Sequence, residues 1–212
     1  GHMLKRRPAL IILLLLCFAA ARAQRKLQYG FRIGGGLAIQ ATNNINLLSS
    51  SAIRVFNVNL LIRVPLSRLF MLQSGLGIAN KGTTNFEDAL TTTNKICYAE
   101  IPLNIIHKFN MPTLGELIVG GGGYAASALK GRMEYQTPGS FNTNRIAFGN
   151  QNDLKKFDAG LNIMTSLELN NQLTFNLNYD LGLSNIASQV LRDTGTKSVY
   201  NRVFNIGLGL FF

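Results

Sequence analysis

The chain has 212 residues, 47% hydrophobic and 15% charged, with 21 basic against 10 acidic side chains and a formal net charge of +11. So much apolar content excludes a long disordered chain, and so few charges set it apart from ordinary soluble domains, which carry roughly 25%. Two cysteines and two histidines exclude a disulfide scaffold, a cysteine zinc module and chemistry that needs several imidazoles.

Gly1-His2-Met3 reads as an expression scar, so His2 carries no weight. Lys5, Arg6 and Arg7 precede an unbroken apolar run over residues 9–20, and Ala21-Arg22-Ala23 follows. This is the three-part layout of a secretory signal peptide, with a cleavage site ahead of Gln24. The run is too short for a spanning helix, which needs about 20 residues. A lipoprotein signal through Cys17 is the runner-up, with Leu16 standing where a small residue is wanted, and a retained short helical anchor is the other alternative. The expected division is therefore residues 1–23, scar and cleavable signal, and residues 24–212, one barrel domain. Removing 1–23 takes away four of the 21 basic residues, leaving 17 against 10, a net charge of +7, with Cys97 and His107 as the last of their kinds. Export and the scatter of the basic residues argue against nucleic acid as a partner. A cationic surface facing anionic lipid headgroups or polysaccharide and a merely solvated excess of charge both remain open.

From residue 29 on, side chains alternate with period two, the mark of strands. Residues 29–40 set Tyr29, Phe31, Ile33, Leu37 and Ile39 against Gly30, Arg32, Gly34, Gly36 and Gln40. Residues 54–64, 69–81 and 96–109 follow the same rule, the last with Ile101, Leu103, Ile105 and Phe109 opposite Tyr98, Glu100, Asn104 and Lys108. Residues 117–130 are glycine-rich and read as a strand only weakly. Residues 157–169 and 173–184 alternate clearly, and so does the last segment, Phe204 to Phe212. That makes eight strands.

The connections alternate too. Those after the second, fourth and sixth strands are short; residues 41–52, 84–95, 133–153 and 187–200 read as long loops. An even set of antiparallel strands with short turns at one end and long loops at the other predicts an all-β fold, an eight-stranded up-and-down transmembrane β-barrel of the bacterial outer membrane. The polar faces agree: Gly, Asn, Ser and Thr dominate, suiting a narrow bore that side chains fill. With both termini in the periplasm, Tyr29, Phe31, Phe70, Phe109, Phe175 and Phe212 fall near the periplasmic ends of their strands. Phe56, Phe157 and Phe204 fall near the outer ends, which reads as two interfacial aromatic girdles in contact with lipid. A final aromatic, Phe212, resembles the C-terminal signal taken up by the outer-membrane assembly machinery.

Four segments, in order, resemble the porin-like, PorT-type outer-membrane β-barrel family: Tyr98-Ala99-Glu100-Ile101-Pro102-Leu103, Phe157-Asp158-Ala159-Gly160-Leu161, Leu181-Gly182-Leu183-Ser184-Asn185-Ile186, and Asn201-Arg202-Val203-Phe204 through Phe212. The resemblance implies an eight-stranded outer-membrane barrel, and some members of that family act in secretion machinery. It implies no single activity.

Candidate chemistry is thin. His107 sits at a turn end on the lipid-facing side and reads as a packing residue; Glu87-Asp88 reads as a solvated loop pair with too few oxygens for Ca²⁺. Gly34 to Gly36 and Gly120 to Gly123 lack the Lys-Ser/Thr and helix of a phosphate loop. No catalytic residue, metal site or cofactor is expected. Arg32, Arg63, Lys108 and Glu168 should sit near the periplasmic end of the lumen, Glu100 and Asp180 nearer the middle, and Asp158 near the outer mouth. Buried charges must pair, so these seven are expected to form an ion-pair plug. The expected role is structural or interaction-based, through long extracellular loops, especially residues 133–153 with Tyr135, Phe141, Ile146 and Phe148, toward an extracellular or periplasmic protein. A narrow channel for small solutes, a secretion component and a soluble lipocalin-like binder are the alternatives.

Overall fold

Alternating side chains put one face of every strand on each side of a sheet, and a sheet escapes bare edges only by closing on itself. The computed structural model describes residues 27–43 and 49–212. The expected signal segment and residues 44–48 lie outside the described residues. In chain order the strands are β1 (Gln28–Thr42), β2 (Ser49–Ser51), β3 (Ile53–Pro65), β4 (Phe70–Glu87), β5 (Leu90–Met111), β6 (Gly115–Thr137), β7 (Ser140–Arg145), β8 (Phe157–Leu169), β9 (Leu173–Gly182) and β10 (Val199–Phe211). One short helix, α1 (Gln189–Asp193), precedes β10.

Eight of these form an antiparallel ring, β1-β3-β4-β5-β6-β8-β9-β10. The first and last strands close it, in register from Gly30↔Phe211 to Thr42↔Val199. β2 adds to the upper part of β4, and β7 pairs only with the upper part of β6. The ring is thus the expected eight-stranded barrel.

Its polarity is inverted relative to a soluble barrel. Phe175, Leu177 and Leu208 are 47%, 45% and 45% exposed, while Asn176 and Asn178 are 5% and 7% exposed. The same parity holds for Ile101, Leu103 and Ile105 outside against Glu100 and Asn104 inside. This arrangement removes the lipocalin-like reading, which requires a dry interior.

Two expected loops are corrected. Residues 84–95 are the end of β4 and the start of β5, joined by a two-residue turn at Asp88-Ala89, with Glu87 paired to Leu90. Asp88 adopts a left-handed φ of 41°, which aspartate tolerates. Residues 133–145 of the other supposed loop form a second hairpin, β6–β7, closed by Pro138-Gly139 with Gly139 at φ 90°. Pro then Gly at the two central positions suits a type II turn. Both hairpins stand clear of the ring. The uppermost pair of β6 with β8 is Ser127↔Phe157, and β6 runs on to Thr137. That is about 30 Å of strand beyond the β8 end. Polar residues prevail on both faces of these strands, so no apolar alternation marks them.

Small residues permit closure at the seam. A Cβ on Gly36 would lie 1.8 Å from the carbonyl oxygen of Phe204, whereas one on Gly35 would meet nothing nearer than 3.5 Å. We expect Gly36→Ala to weaken or prevent barrel closure, by about 1–3 kcal/mol. Gly35→Ala should assemble normally. Cold electrophoretic mobility of the folded band, compared between the two variants, tests this; equal mobility and equal yield would contradict it.

Candidate functional site: the filled lumen

Every ring strand sends at least one polar side chain to the axis. At the lower end Arg63 of β3 donates to Glu168 of β8 at 2.6 Å and to Gln73 of β4 at 2.9 Å. Its guanidinium carbon stacks 3.4 Å from the centre of the Phe211 ring. Lys108 pairs with Glu116 at 2.6 Å and lies 3.7 Å from Glu168. Halfway up, the Arg32 guanidinium of β1 lies against the side-chain amides of Asn176 and Asn178 of β9, whose oxygens accept from it at 2.9 and 3.1 Å once the amides are turned to face it. Asn104 donates to Asn162 at 2.8 Å, and Asn162 donates in turn to Asp180.

The upper layer centres on Lys81 of β4, which is 1% exposed. Its ammonium pairs with Glu100 at 2.8 Å and Asp158 at 3.2 Å, and lies 3.7 Å from the centre of the Tyr124 ring. Asp158 also accepts from Tyr124 at 3.1 Å and from Asn201 at 3.0 Å. Gln40 donates to Asn201 at 3.0 Å, which ties β1 to β10 across the seam from inside. Above this layer Ile96, Ile146, Leu154, Ile186, Ala187 and Val199 form an apolar cap over the mouth. Lys155 donates its backbone N–H to Ile186 and Ile186 to Val199, holding the cap in place.

The seven sequence-predicted lumen residues all face the bore. Arg63, Lys108 and Glu168 meet at the lower end; Arg32, expected with them, lies one layer higher, four residues up β1 from Gln28, the register partner of Arg63. Arg32 and Asp180 have no ion pair within 4.0 Å among the described residues; asparagine amides receive them instead. Glu100 and Asp158, expected at different heights, share one cation. That cation is Lys81, which stands last in its expected strand and whose parity with Gln73 places it inside. Buried cations (Arg32, Arg63, Lys81) and buried anions (Glu100, Asp158, Asp180) balance three to three.

Outside, all nine predicted aromatics are exposed, from Phe31 at 41% to Phe157 at 70%. Tyr29 and Phe212 exchange backbone hydrogen bonds of 3.1 and 2.8 Å. His107 packs between Phe70 and Phe109, its ring centre 5.3 and 4.3 Å from theirs. Of the contact residues expected in 133–153, Phe141 is exposed, but Ile146 is buried in the cap and Phe148 is half-buried against it. Glu87 and Asp88 lie at a hairpin tip, and no group of three or more potential metal ligands occurs among the described residues.

Residues 18–188 match the sequence profile of the outer membrane protein beta-barrel domain. The chain belongs to that family. Its place is the bacterial outer membrane, so the exposed apolar belt faces lipid. Among solved structures, the barrel is similar to Neisserial surface protein A (11% identity, 88% of this chain and 99% of that one, TM-score 0.50). It is also similar to Ail of Yersinia pestis (12% identity, 89% and 100%, TM-score 0.45) and to OprG of Pseudomonas aeruginosa (12% identity, 86% and 95%, TM-score 0.42). At these identities the likeness concerns fold alone. No curated protein sequence matches.

Removing Lys81 from this outer-membrane barrel leaves two buried carboxylates sharing one site without a counter-charge. Lys81→Met should therefore cost about 3–5 kcal/mol, and Lys81→Met with Glu100→Gln and Asp158→Asn should recover most of it. Urea unfolding from phospholipid vesicles measures both; a single variant as stable as the parent would contradict the pairing.

Proposed function

We propose that this barrel is a non-conducting membrane anchor that presents the β4–β5 and β6–β7 hairpins to a protein partner outside the cell. The observation that supports this reading most is the pairing of a filled bore and covered mouth with two hairpins that outrun the ring. A strand crosses a bilayer in about 9–11 residues. β5 and β6 have 22 and 23 residues, and the surplus stands on the side opposite the short turns. Eight strands leave a bore that side chains fill, and here layered ion pairs and asparagines occupy it.

In this reading Tyr29, Phe31, Phe70, Phe109, Phe175 and Phe212 form the periplasmic girdle and Phe56, Phe157 and Phe204 the outer one. The seven lumen charges, with Lys81, are the plug. Residues 1–23 are removed during export, and the assembly machinery receives the final strand. The PorT-type resemblance of residues 98–103 and 181–186 favours a partner within a secretion apparatus.

The purified full-length protein, inserted into planar lipid bilayers, should give no discrete openings up to the voltages the bilayer withstands. Reproducible single-channel steps would replace the anchor by a narrow channel for small solutes.

A further inference from the structure

The outward face of the barrel changes character abruptly on one side. On β3 to β6 the belt ends in Phe56, Ile78 and Leu129, which are 59%, 37% and 57% exposed. Directly above it the register lines up basic residues across neighbouring strands: Lys95 of β5 pairs with Arg132 of β6, and Arg132 pairs with Arg145 of β7. Lys130 lies just below Arg132 on the same face: Cys97 pairs with Lys130 and Tyr98 with Ala128, so Leu129 is an extra, bulged residue of β6 and both Leu129 and Lys130 are exposed. Arg54 joins from β3, two residues before Phe56. A cavity of about 1080 Å³ runs across this junction; its wall holds these five cations and the apolar residues below them, and it reaches past the sheet to Lys81, Ile96 and Ile146 on the inner side.

The charges are poorly compensated. Glu134 is the one carboxylate paired there among the described residues, held by Lys95 at 2.9 Å and Arg132 at 3.1 Å. Arg54, Lys130 and Arg145 make no ion pair within 4.0 Å among the described residues. Five cations against one anion give this patch a net charge of +4. Like charges on adjacent strands repel and weaken the sheet unless something neutralises them.

We infer that this patch docks the phosphorylated headgroup of an anionic lipid in the outer leaflet, with the acyl chains lying on the apolar wall below it. Three features select that occupant over others. The patch is cationic and fork-bearing, which suits phosphate. It begins where the lipid-facing belt ends, the height at which headgroups sit. And the cavity is continuous from charged to apolar wall, which a soluble polyanion would not need. The inference uses the membrane placement of the barrel and is independent of whether the lumen conducts.

The test uses the full-length barrel in detergent micelles, titrated with bisphosphorylated lipid A. Each basic side chain near an anionic surface contributes about fivefold to affinity. Lys130→Gln with Arg145→Gln should therefore bind lipid A about 25-fold more weakly. Lys197→Gln with Arg202→Gln removes the same charge on the β10 side and should change affinity less than about twofold. Equal losses from the two double variants would overturn the proposal in favour of diffuse attraction. The deacylated, phosphorylated disaccharide should bind far more weakly than lipid A. Equal binding of the two, or tighter binding of a sulfated polysaccharide than of lipid A, would also overturn it. Folding of each variant is read by its circular dichroism. Should Lys130→Gln with Arg145→Gln fail to assemble, Arg54→Gln with Lys95→Gln carries the same comparison.

Discussion

The structure depends on one constraint: in hydrocarbon a backbone N–H or C=O has no water to turn to, so a sheet that crosses must close. Closure is made by β1 and β10, the ends of the chain, over thirteen paired positions. Everything else follows from making that seam possible with a narrow bore. Gly36 lets the strands approach, and Gln40 with Asn201 stitches the seam from within. The exterior needs only apolar side chains of any shape. The interior must satisfy every polar group it takes in.

That asymmetry explains the lumen. An eight-stranded ring encloses too little space for bulk water, so ions placed there lose hydration and need partners close by. The chain meets this with stacked layers. Arg63, Glu168 and Lys108 fill the lower end, Arg32 sits on an asparagine ladder, and Lys81 is held between Glu100 and Asp158 beneath an apolar cap. Neutral amides serve as adaptable spacers because each can both donate and accept. Layers of this kind leave the bore packed with side chains, while the hairpins above lie outside both constraints.

The barrel was readable in the sequence because parity is a long-range signal. Asn176 and Asn178 between Phe175, Leu177 and Tyr179 admit one assignment of faces, and the small neutral inner face indicated which way round. Parity failed where the environment is the same on both sides. Thr91, Thr92 and Thr93 lie in a strand with polar neighbours on either face, so residues 84–95 looked like a loop, although threonine is a good strand former. Pro138-Gly139 was a turn signal inside the segment read as loop. Ile146 looked like a contact residue because the sequence does not show that the chain folds back over the mouth there. The lumen charges are identifiable singly, but who pairs with whom depends on strand stagger around the ring, which the sequence leaves open; hence Arg32 meets amides rather than the ionic partners expected of it.

The central claim is that apolar side chains face lipid while polar ones fill a closed bore. It is tested most directly by spin-labelling single cysteines at consecutive positions 175 to 179, in a Cys97→Ser background reconstituted in phospholipid vesicles. Labels at 175, 177 and 179 should be strongly relaxed by oxygen dissolved in the bilayer and little by a water-soluble nickel chelate, whereas labels at 176 and 178 should respond weakly to oxygen. Uniform accessibility along the strand, or oxygen sensitivity at 176 and 178 instead, would contradict the account.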